Sequence, residues 1–326
     1  MRGVPFQSSR AVAGFLPASS ERPTVVYRLA GDAYLLVEYG DMVLDLNLRF
    51  RVQSLINYLK SLDDSRIQEL APGVRSLLIK YDSLKLPLKK LITILTHAEE
   101  ELPKTEDLIL ASRIVHLPLA FHDRWTREAI QKYMQSVRAE APYLPDNVEF
   151  VARCNGFESG DQVLSAMISS QKMVLGLGDV YLGAPCAVPI DPLTRLVVPK
   201  YNPARTLTPE GAVGIGGSYI CIYPMESPGG YQLVGRTLPI WNTYQSTPYF
   251  KETPWLLRIF DRIQFEHVEE NHLEDAREAM LQGSYELSIE EGTFNVREYN
   301  ENIQKSDTTE LLATQRAAAE KWTKGY

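Results

Sequence analysis

The segment GAVGIGGSYICIYPMESPGGYQLVGRT, residues 211–237, constrains the fold more than any other part of the sequence. It holds seven of the chain's twenty glycines, and branched apolar residues and tyrosines stand between them. A flexible linker would not carry so many strand-forming residues. Glycines inside strands usually mark a bulge, a sharp bend or a close approach of two backbones. We therefore expect Gly214, Gly216 and Gly217 to bend short strands at the corner of a small β-barrel.

The same glycines do not fit the common phosphate-binding loops. GIGGSY has Tyr219 where a dinucleotide-binding motif needs its third glycine, and GLGDVY has Tyr181 there. Neither pattern is followed by the Lys-Ser/Thr pair of a P-loop. The remaining interpretation is that residues 227–230, Ser-Pro-Gly-Gly, form a tight turn whose backbone N–H groups bind a carbonyl oxygen or an anion.

The first third of the chain predicts a small α+β domain. TVVYRLAG and AYLLVEYG are typical of two strands joined by a hairpin at Gly31-Asp32. Apolar residues at i, i+3 and i+4 predict a helix in LNLRFRVQSLINYLKSL, and a second helix runs between Pro87 and Pro103. VRSLLIKYD between the two helices returns to a strand pattern. We expect residues 1–23 to be a disordered leader and residues 24–110 to form two helices on an antiparallel sheet.

The rest of the chain predicts a barrel followed by helices. SRIVHLPLAF is typical of a strand, WTREAIQKYMQSVRAEA of a helix, and two short helices follow the Pro-rich PYLPDN. From Lys172 to about Val268, short apolar runs alternate with Gly, Pro and Asn. We assign residues 111–268 to the barrel domain and residues 269–326 to a charged helical C-terminal extension.

Composition excludes several partners. The net charge of −7 and the absence of basic runs interleaved with aromatics argue against nucleic acid. No apolar run reaches the roughly 18 to 20 residues that cross a bilayer, so we do not expect a membrane among the partners. The Arg/Ser-rich start lacks the apolar core of a secretion signal; we expect a cytoplasmic protein, with a mitochondrial transit peptide as the alternative. The three cysteines and five histidines show no metal-ligand spacing, so no metal is expected.

VGIGGSYICIYPMESPGGYQLVGRT resembles the signature of the allophanate hydrolase subunit 1 superfamily, which includes a component of 5-oxoprolinase and part of the carboxyltransferase domain of urea carboxylase. YGDMVLDLNLRFRV, SRIVHLPL, IQKYMQSVRAEAPYLPDNVEF, VLGLGDVYLGAP, KYNPART and PWLLRIFDRIQF are similar to the urea carboxylase branch and cover residues 24 to about 268. GLGDVYLG also departs from the Gly-Phe-x-Pro-Gly-Phe form of the short bacterial members. The resemblance implies an N-terminal ferredoxin-like domain and a C-terminal cyclophilin-like β-barrel. One departure is Phe121-His122, where the family leads us to expect Ser-Trp.

The resemblance also implies a function. The chain would be one half of a carboxyltransferase that moves a carboxyl group from biotin to urea or a related amide or guanidine. The implied partners are an allophanate hydrolase subunit 2-like second half and a biotin carrier. Because the sequence has no Met-Lys acceptor pair, we expect no covalently bound cofactor, and a partner would supply carboxybiotin. The alternative is a stand-alone member of the superfamily that acts as a binding or regulatory module, or as an enzyme on a lactam or other specialised metabolite.

Carboxyl transfer requires donors to the biotin ureido oxygen and acceptors for the N–H groups of the substrate. The candidate catalytic residues are Asp179, Lys200, Glu226 and Arg236. The candidate substrate-binding residues are Tyr181, Asn202, Arg205, Tyr223, Ser227, Gly229, Gly230 and Gln232. Arg236 has an alternative role as the structural partner of a carboxylate. His116 is expected to be a strand histidine satisfied by the backbone rather than a general base.

Overall fold

The chain divides into two units in a computed structural model that describes residues 11–178, 181–244 and 247–322. The first unit ends at Leu110 and also includes Asn295–Asn300. The second unit consists of Ala111–Phe294 and resumes at Glu301. The candidate residue Asp179 lies outside the described residues.

The first unit contains an antiparallel five-stranded sheet in the order β1-β2-β3-β5-β4. Its strands are β1 (Val12–Leu16), β2 (Val25–Leu29), β3 (Tyr34–Tyr39), β4 (Ile67–Pro72) and β5 (Ser76–Tyr81), and its helices are α1 (Leu46–Ser61) and α2 (Leu88–Glu101), followed by a 3-10 turn at Thr105–Asp107. The predicted hairpin is present as β2–β3, and both predicted helices are confirmed. Apolar side chains from the sheet and from both helices share one buried core.

The segment predicted to be a disordered leader contains a strand. Val12–Leu16 forms β1 and pairs antiparallel with β2, so the prediction is corrected for these residues. The apolar run VAGFL is short and stands between polar segments. Its strand conformation depends on the hydrogen-bonding edge that β2 offers, which a local pattern does not reveal.

The second unit begins near β6 (Ile109–Ala111), which spans the boundary between the units, and is built mainly of strands. After β6, the strands as far as residue 267 are β7 (Ile114–Phe121), β8 (Lys172–Leu177), β9 (Pro185–Pro189), β10 (Arg205–Thr208), β11 (Ala212–Gly216), β12 (Tyr219–Ile222), β13 (Ser227–Gly229), β14 (Gln232–Arg236) and β15 (Arg262–His267). The helices between them are α3 (Arg124–Ser136), α4 (Asn147–Cys154) and α5 (Gly160–Ile168), with 3-10 turns at Pro192–Thr194 and Pro248–Phe250.

Seven strands of this unit close into a ring. They follow the order β14-β11-β12-β9-β8-β15-β7, and β7 pairs with β14 to complete the circle. The pair β7–β15 is parallel, whereas the other neighbours are antiparallel. A continuous cluster of buried apolar side chains lies within and around the ring. The structure thus confirms a closed β-barrel in a mixed α/β chain.

The glycine-rich stretch contains an irregular strand pairing and a turn glycine, whereas the predicted bend at a barrel corner stays a prediction. The pairing of β11 with β14 shifts register between Val213 and Gly214, which is a bulge. Gly217 has φ +62° in the turn between β11 and β12. The predicted tight turn at residues 227–230 is corrected, because Ser227–Gly229 is the strand β13 and pairs with β10.

Residues 269–322 contain three helices and two short strands. They comprise α6 (Glu270–Gln282), β16 (Ile289–Glu290), β17 (Thr293–Asn295), α7 (Val296–Ile303) and α8 (Thr309–Trp322). β16 pairs with β7 of the barrel sheet. Residues 269–322 thus contain two short strands besides the expected helices, and the charged helical C-terminal extension stays a prediction, as does the ferredoxin-like class of the first unit.

Candidate functional site

A two-stranded ribbon of β10 and β13 brings several predicted residues together beside the barrel wall. In its register Arg205 lies opposite Gly229 and Thr208 opposite Ser227. The Arg205 side chain is buried. Its Nη1 donates to the Tyr231 carbonyl at 2.6 Å, and its Nε and Nη2 lie 3.3 and 3.2 Å from the Thr208 hydroxyl oxygen. Arg205 therefore fastens the ribbon to the start of β14.

Tyr231 lies at the centre of this region, although it was not among the residues predicted from the sequence. The ammonium nitrogen of Lys200 lies 4.5 Å from the centroid of the Tyr231 ring. Lys200 is exposed, so its charge remains accessible above that ring. The available signal was the pair Gly214 and Gly216, because strand positions without a side chain leave room for a ring to pack on the backbone, and the Tyr231 side chain packs on both.

Gln232 presents a buried acceptor that lacks a donor. Its side chain is fully buried, and its Nε2 donates to the Pro199 carbonyl at 2.8 Å. No donor within the described ranges reaches its Oε1. A buried carbonyl oxygen left without a hydrogen bond costs about 1 to 3 kcal/mol. This position therefore favours an additional N–H or O–H donor, such as a water molecule or a substrate amide.

Tyr223, Ser227 and Gly229 form the packed base of the ribbon. The Tyr223 hydroxyl accepts from the Tyr231 backbone N–H at 3.4 Å. A Cβ atom on Gly229 would collide with the Tyr223 ring. The Ser227 hydroxyl donates to the Met225 carbonyl at 3.1 Å. These three residues are structural: the hydroxyls of Tyr223 and Ser227 are hydrogen-bonded within the fold, and Gly229 leaves the space that the Tyr223 ring occupies.

Four other candidates lie at the edges of the ribbon. Glu226 precedes β13 and is exposed. The half-buried Tyr181 donates from its hydroxyl to the Pro228 carbonyl at 3.5 Å. The backbone of Gly230 is bound through its carbonyl, which accepts from the Tyr201 N–H at 2.6 Å. Asn202 is also exposed. Together with the positively charged Lys200 and the negatively charged Glu226, it gives the ribbon accessible polar groups.

Arg236 lies at the other end of β14, away from the ribbon. Its Nε donates to the Glu210 carbonyl at 2.8 Å, and its guanidinium lies 4.6 Å from the Trp125 ring centroid. The Arg236 Nη2 lies 3.9 Å from a Glu210 carboxylate oxygen, and Arg277 of α6 binds the same carboxylate oxygen. Burial lowers the pKa of Arg236, and the neighbouring Arg277 lowers it further. Within the part of the chain that the structure describes, these contacts are those of a structural ion pair.

Two histidines on or after β7 are paired with carboxylates. His116 lies between Glu266 and Glu290, with both nitrogen-to-oxygen distances at 2.7 Å. His122 lies 3.1 Å from a carboxylate oxygen of Asp146 and has φ +51°, a left-handed conformation that costs a non-glycine residue energy. The hydrogen bond with Asp146 raises the pKa of His122. His116 is therefore satisfied by carboxylates rather than by the expected backbone.

Two other kinds of feature are missing from the described ranges. No three His, Cys, Asp or Glu side chains in them are grouped so that they could hold a metal ion. Their helices are each too short or too polar to span a bilayer.

Comparison with known proteins connects these residues to one family. The family model for the carboxyltransferase domain, subdomain C and D, matches residues 25–251. The chain is 46% identical over 277 residues to the urea amidolyase of Saccharomyces cerevisiae, and the matched region covers 85% of this chain and 15% of that relative. It is 46% identical over 294 residues to the urea amidolyase of Lachancea kluyveri, covering 89% of this chain and 16% of that one.

Solved structures agree with the sequence comparison. A crystal structure of the Kluyveromyces lactis urea carboxylase matches 98% of this chain and 29% of its own, with a TM-score of 0.85 and 40% identity. The two urea amidolyases compared above are much longer, and this chain spans only about a sixth of their length.

Proposed function

Because the chain belongs to the family of carboxyltransferase domains, subdomains C and D, we propose that it is one half of a biotin-dependent carboxyltransferase acting on urea or a related amide or guanidine. The family match carries this proposal, since it spans residues of both units. We further assign a ferredoxin-like class to the first unit and a cyclophilin-like class to the barrel. The names of the relatives favour urea as the first substrate to test.

The proposed site is the β10–β13 ribbon with its accessible rim. Carboxybiotin, supplied by a partner, would provide the carboxyl group. Lys200 donates to the ureido oxygen of biotin as negative charge develops there, because its ammonium is exposed above Tyr231. Glu226 and Asp179 accept hydrogen bonds from the N–H groups of the acceptor. These groups would orient the acceptor nitrogen so that its bond to the carboxyl carbon forms as the bond from that carbon to the biotin nitrogen breaks, and the proton lost by the acceptor nitrogen would pass to the biotin nitrogen.

Gln232 and Asn202 orient the planar acceptor. The Gln232 oxygen has no donor among the described residues and suits an amide N–H, delivered directly or through one water molecule. Tyr181 contributes at the rim through its hydroxyl. Arg205, Tyr223, Ser227, Gly229 and Gly230 hold the ribbon in place beneath them.

The proposed partners are a second carboxyltransferase half and a biotin carrier. The relatives are several times longer than this chain, so most of each relative lies outside the matched region. We propose that these partners complete the site, either on other chains or elsewhere in a longer protein.

A chimera provides the test. The matched segment of the Saccharomyces cerevisiae urea amidolyase is replaced by this chain, and urea-dependent ADP release is measured with and without avidin, which sequesters biotin. We expect avidin-sensitive turnover. Lys200→Met and Glu226→Gln should each lower it at least about tenfold, because a charged contact is typically worth about 3 kcal/mol once the proposed partner half covers the site and excludes water.

Lys132→Met is the matched control, since Lys132 is an exposed lysine on α3 in the same unit. It should leave both turnover and melting temperature unchanged. A folded chimera that releases no ADP with urea, other amides or guanidines would contradict the proposal and favour a binding module.

A further inference from the structure

Three tyrosines of the second unit form a compact cluster beneath the loop that carries Asn202. The ring centroids of Tyr143 and Tyr201 are 4.1 Å apart, and those of Tyr133 and Tyr201 are 4.8 Å apart. Tyr133 and Tyr143 are almost completely buried. Phenylalanine would fill the same volume, so the hydroxyl groups need a separate explanation.

The hydroxyls of two of these tyrosines bind the backbone of one short loop. Tyr143 donates to the Asn202 carbonyl at 3.0 Å, and Tyr133 donates to the Pro203 carbonyl at 2.9 Å. The two hydroxyl oxygens are themselves 2.9 Å apart. Arg138 adds a third bond, from its Nη1 to the Asn202 carbonyl at 2.7 Å. The backbone of Asn202 and Pro203 is thus held from α3 and from the segment before α4.

The same network reaches β14. The Asn147 side-chain oxygen accepts from the Tyr201 hydroxyl and from the Leu233 N–H, both at 2.9 Å. The Asn147 amide nitrogen donates to the Tyr143 carbonyl at 2.9 Å. Leu233 follows Gln232 directly, so one hydrogen-bonded chain connects the Asn202 loop with the strand that holds the other proposed acceptor-binding side chain.

We propose that Tyr133 and Tyr143 are positioning residues that fix Asn202 relative to Gln232 for binding the planar acceptor. This inference rests on the proposed function of the ribbon. The two tyrosines do not touch the acceptor; they act through the backbone of the loop. Replacing either hydroxyl leaves the ring packing intact and removes one of the three hydrogen bonds that hold the loop, so the position of Asn202 is less well defined when the acceptor binds.

The test is a double-mutant cycle in the chimera. Tyr143→Phe and Tyr133→Phe should each raise the KM for urea about tenfold and change kcat by less than about threefold, because Asn202 binds the acceptor in both ground state and transition state. In an Asn202→Ala background, Tyr143→Phe should add no more than about a twofold change in KM. Full additivity of the two changes would show that the tyrosine does not act through Asn202.

Tyr249→Phe is the matched control. The Tyr249 hydroxyl also serves two backbone groups, accepting from the Leu287 N–H at 2.7 Å and donating to the Tyr285 carbonyl at 3.1 Å. Its loss should cost stability comparable to that of Tyr143→Phe without raising KM. An equal rise in KM in this control would identify a general loss of structure and overturn the inference.

A measurement on the chain alone separates this inference from the proposed function. In protein labelled with 15N-asparagine, the Asn202 side-chain amide signals are assigned by their disappearance in Asn202→Ala. Tyr143→Phe should shift or broaden them, whereas Tyr249→Phe should not. If the wild-type chimera is inactive but the signals respond as described, the proposed function fails and the positioning of Asn202 stands. Unchanged signals in Tyr143→Phe refute the inference with or without turnover.

Discussion

At the scale of single residues, burial divides the candidate residues into two groups. Arg205 and Gln232 are buried, and their side chains bind backbone carbonyls of neighbouring segments. Lys200, Asn202 and Glu226 are exposed around the same ribbon. Accessible groups can change partners when a ligand arrives, whereas the buried nitrogens of Arg205 and Gln232 set the geometry in advance. The sequence contains both kinds of residue in one stretch, and only their neighbours distinguish them.

Arg236 provides a direct test of that division. Arg236→Met should destabilise the protein by about 2 kcal/mol, below the 3 to 5 kcal/mol typical of breaking a buried pair, because Glu210 keeps Arg277 as a partner. Denaturant unfolding measures this cost. Arg124→Met is the control, since Arg124 is half exposed and covers the same Trp125 ring at 4.4 Å; it should cost under about 1 kcal/mol. An Arg236 variant of normal stability with abolished turnover in the chimera would instead support a catalytic role.

His116 predicts a dependence of stability on pH. Burial by itself lowers the pKa of His116, but hydrogen bonds with Glu266 and Glu290 outweigh it, so the pKa lies above its usual value of 6.5. A raised folded-state pKa stabilises the fold fully below the unfolded pKa, and this contribution is lost as pH rises through the folded pKa. The stability difference between wild type and His116→Gln should be largest between about pH 5 and 6.5 and should shrink at higher pH. A difference independent of pH would contradict this assignment.

At the scale of elements, the glycines of the barrel wall do two separate jobs. Gly217 adopts a left-handed conformation in a turn, whereas Gly216 of β11 makes room for a neighbouring side chain. A Cβ atom on Gly216 would lie 2.5 Å from the Tyr231 ring. That close approach places Tyr231 under Lys200, so the packing of β11 bears on the geometry of the proposed site.

Gly216→Ala should therefore destabilise the protein by about 1 to 3 kcal/mol, the usual cost of overpacking a core. It should also lower turnover per folded molecule in the chimera, because Tyr231 would shift. Gly176→Ala in β8 is the control, since no atom lies within 4 Å of the added Cβ. Thermal unfolding of the two variants checks the difference. Equal melting temperatures would show that Tyr231 can move aside without cost.

At the scale of the whole molecule, the barrel is closed by contacts between distant parts of the chain. The parallel pair β7–β15 joins residues 114–119 to residues 262–267, and β14 returns to pair with the end of β7. The chain also covers only 15% of the Saccharomyces cerevisiae relative. Long-range strand pairing therefore builds the barrel wall beside the proposed site. We propose that partners complete that site.

The absence of a Met-Lys pair gives a prediction for the purified chain. Expressed together with a biotin protein ligase, it should show the mass of the unmodified sequence, because a biotin acceptor lysine is expected to follow methionine. Intact-mass measurement checks this, with a known biotin carrier expressed in parallel as the control. A mass increase of one biotinyl group would contradict the proposal that a partner, and not this chain, carries the biotin.

The sequence by itself determined the features that depend on local pattern. The helix at residues 46–61 and the hairpin at Gly31-Asp32 follow from residue type and spacing, because neighbouring residues decide them. The segment VGIGGSYICIYPMESPGGYQLVGRT also carried the resemblance to the family. These features were predictable because each is stabilised largely within its own segment.

Only the tertiary structure decided the features that need a distant partner. VAGFL became a strand because β2 lies beside it, and Ser227–Gly229 became a strand rather than a turn because β10 pairs with it. Arg236 is paired with Glu210 and Arg277 lies beside it, and the hydroxyl of Tyr143 reaches Asn202. The free energy of a buried charge or hydroxyl depends on the groups that surround it in space, and their positions are set by the closure of the barrel rather than by order along the chain.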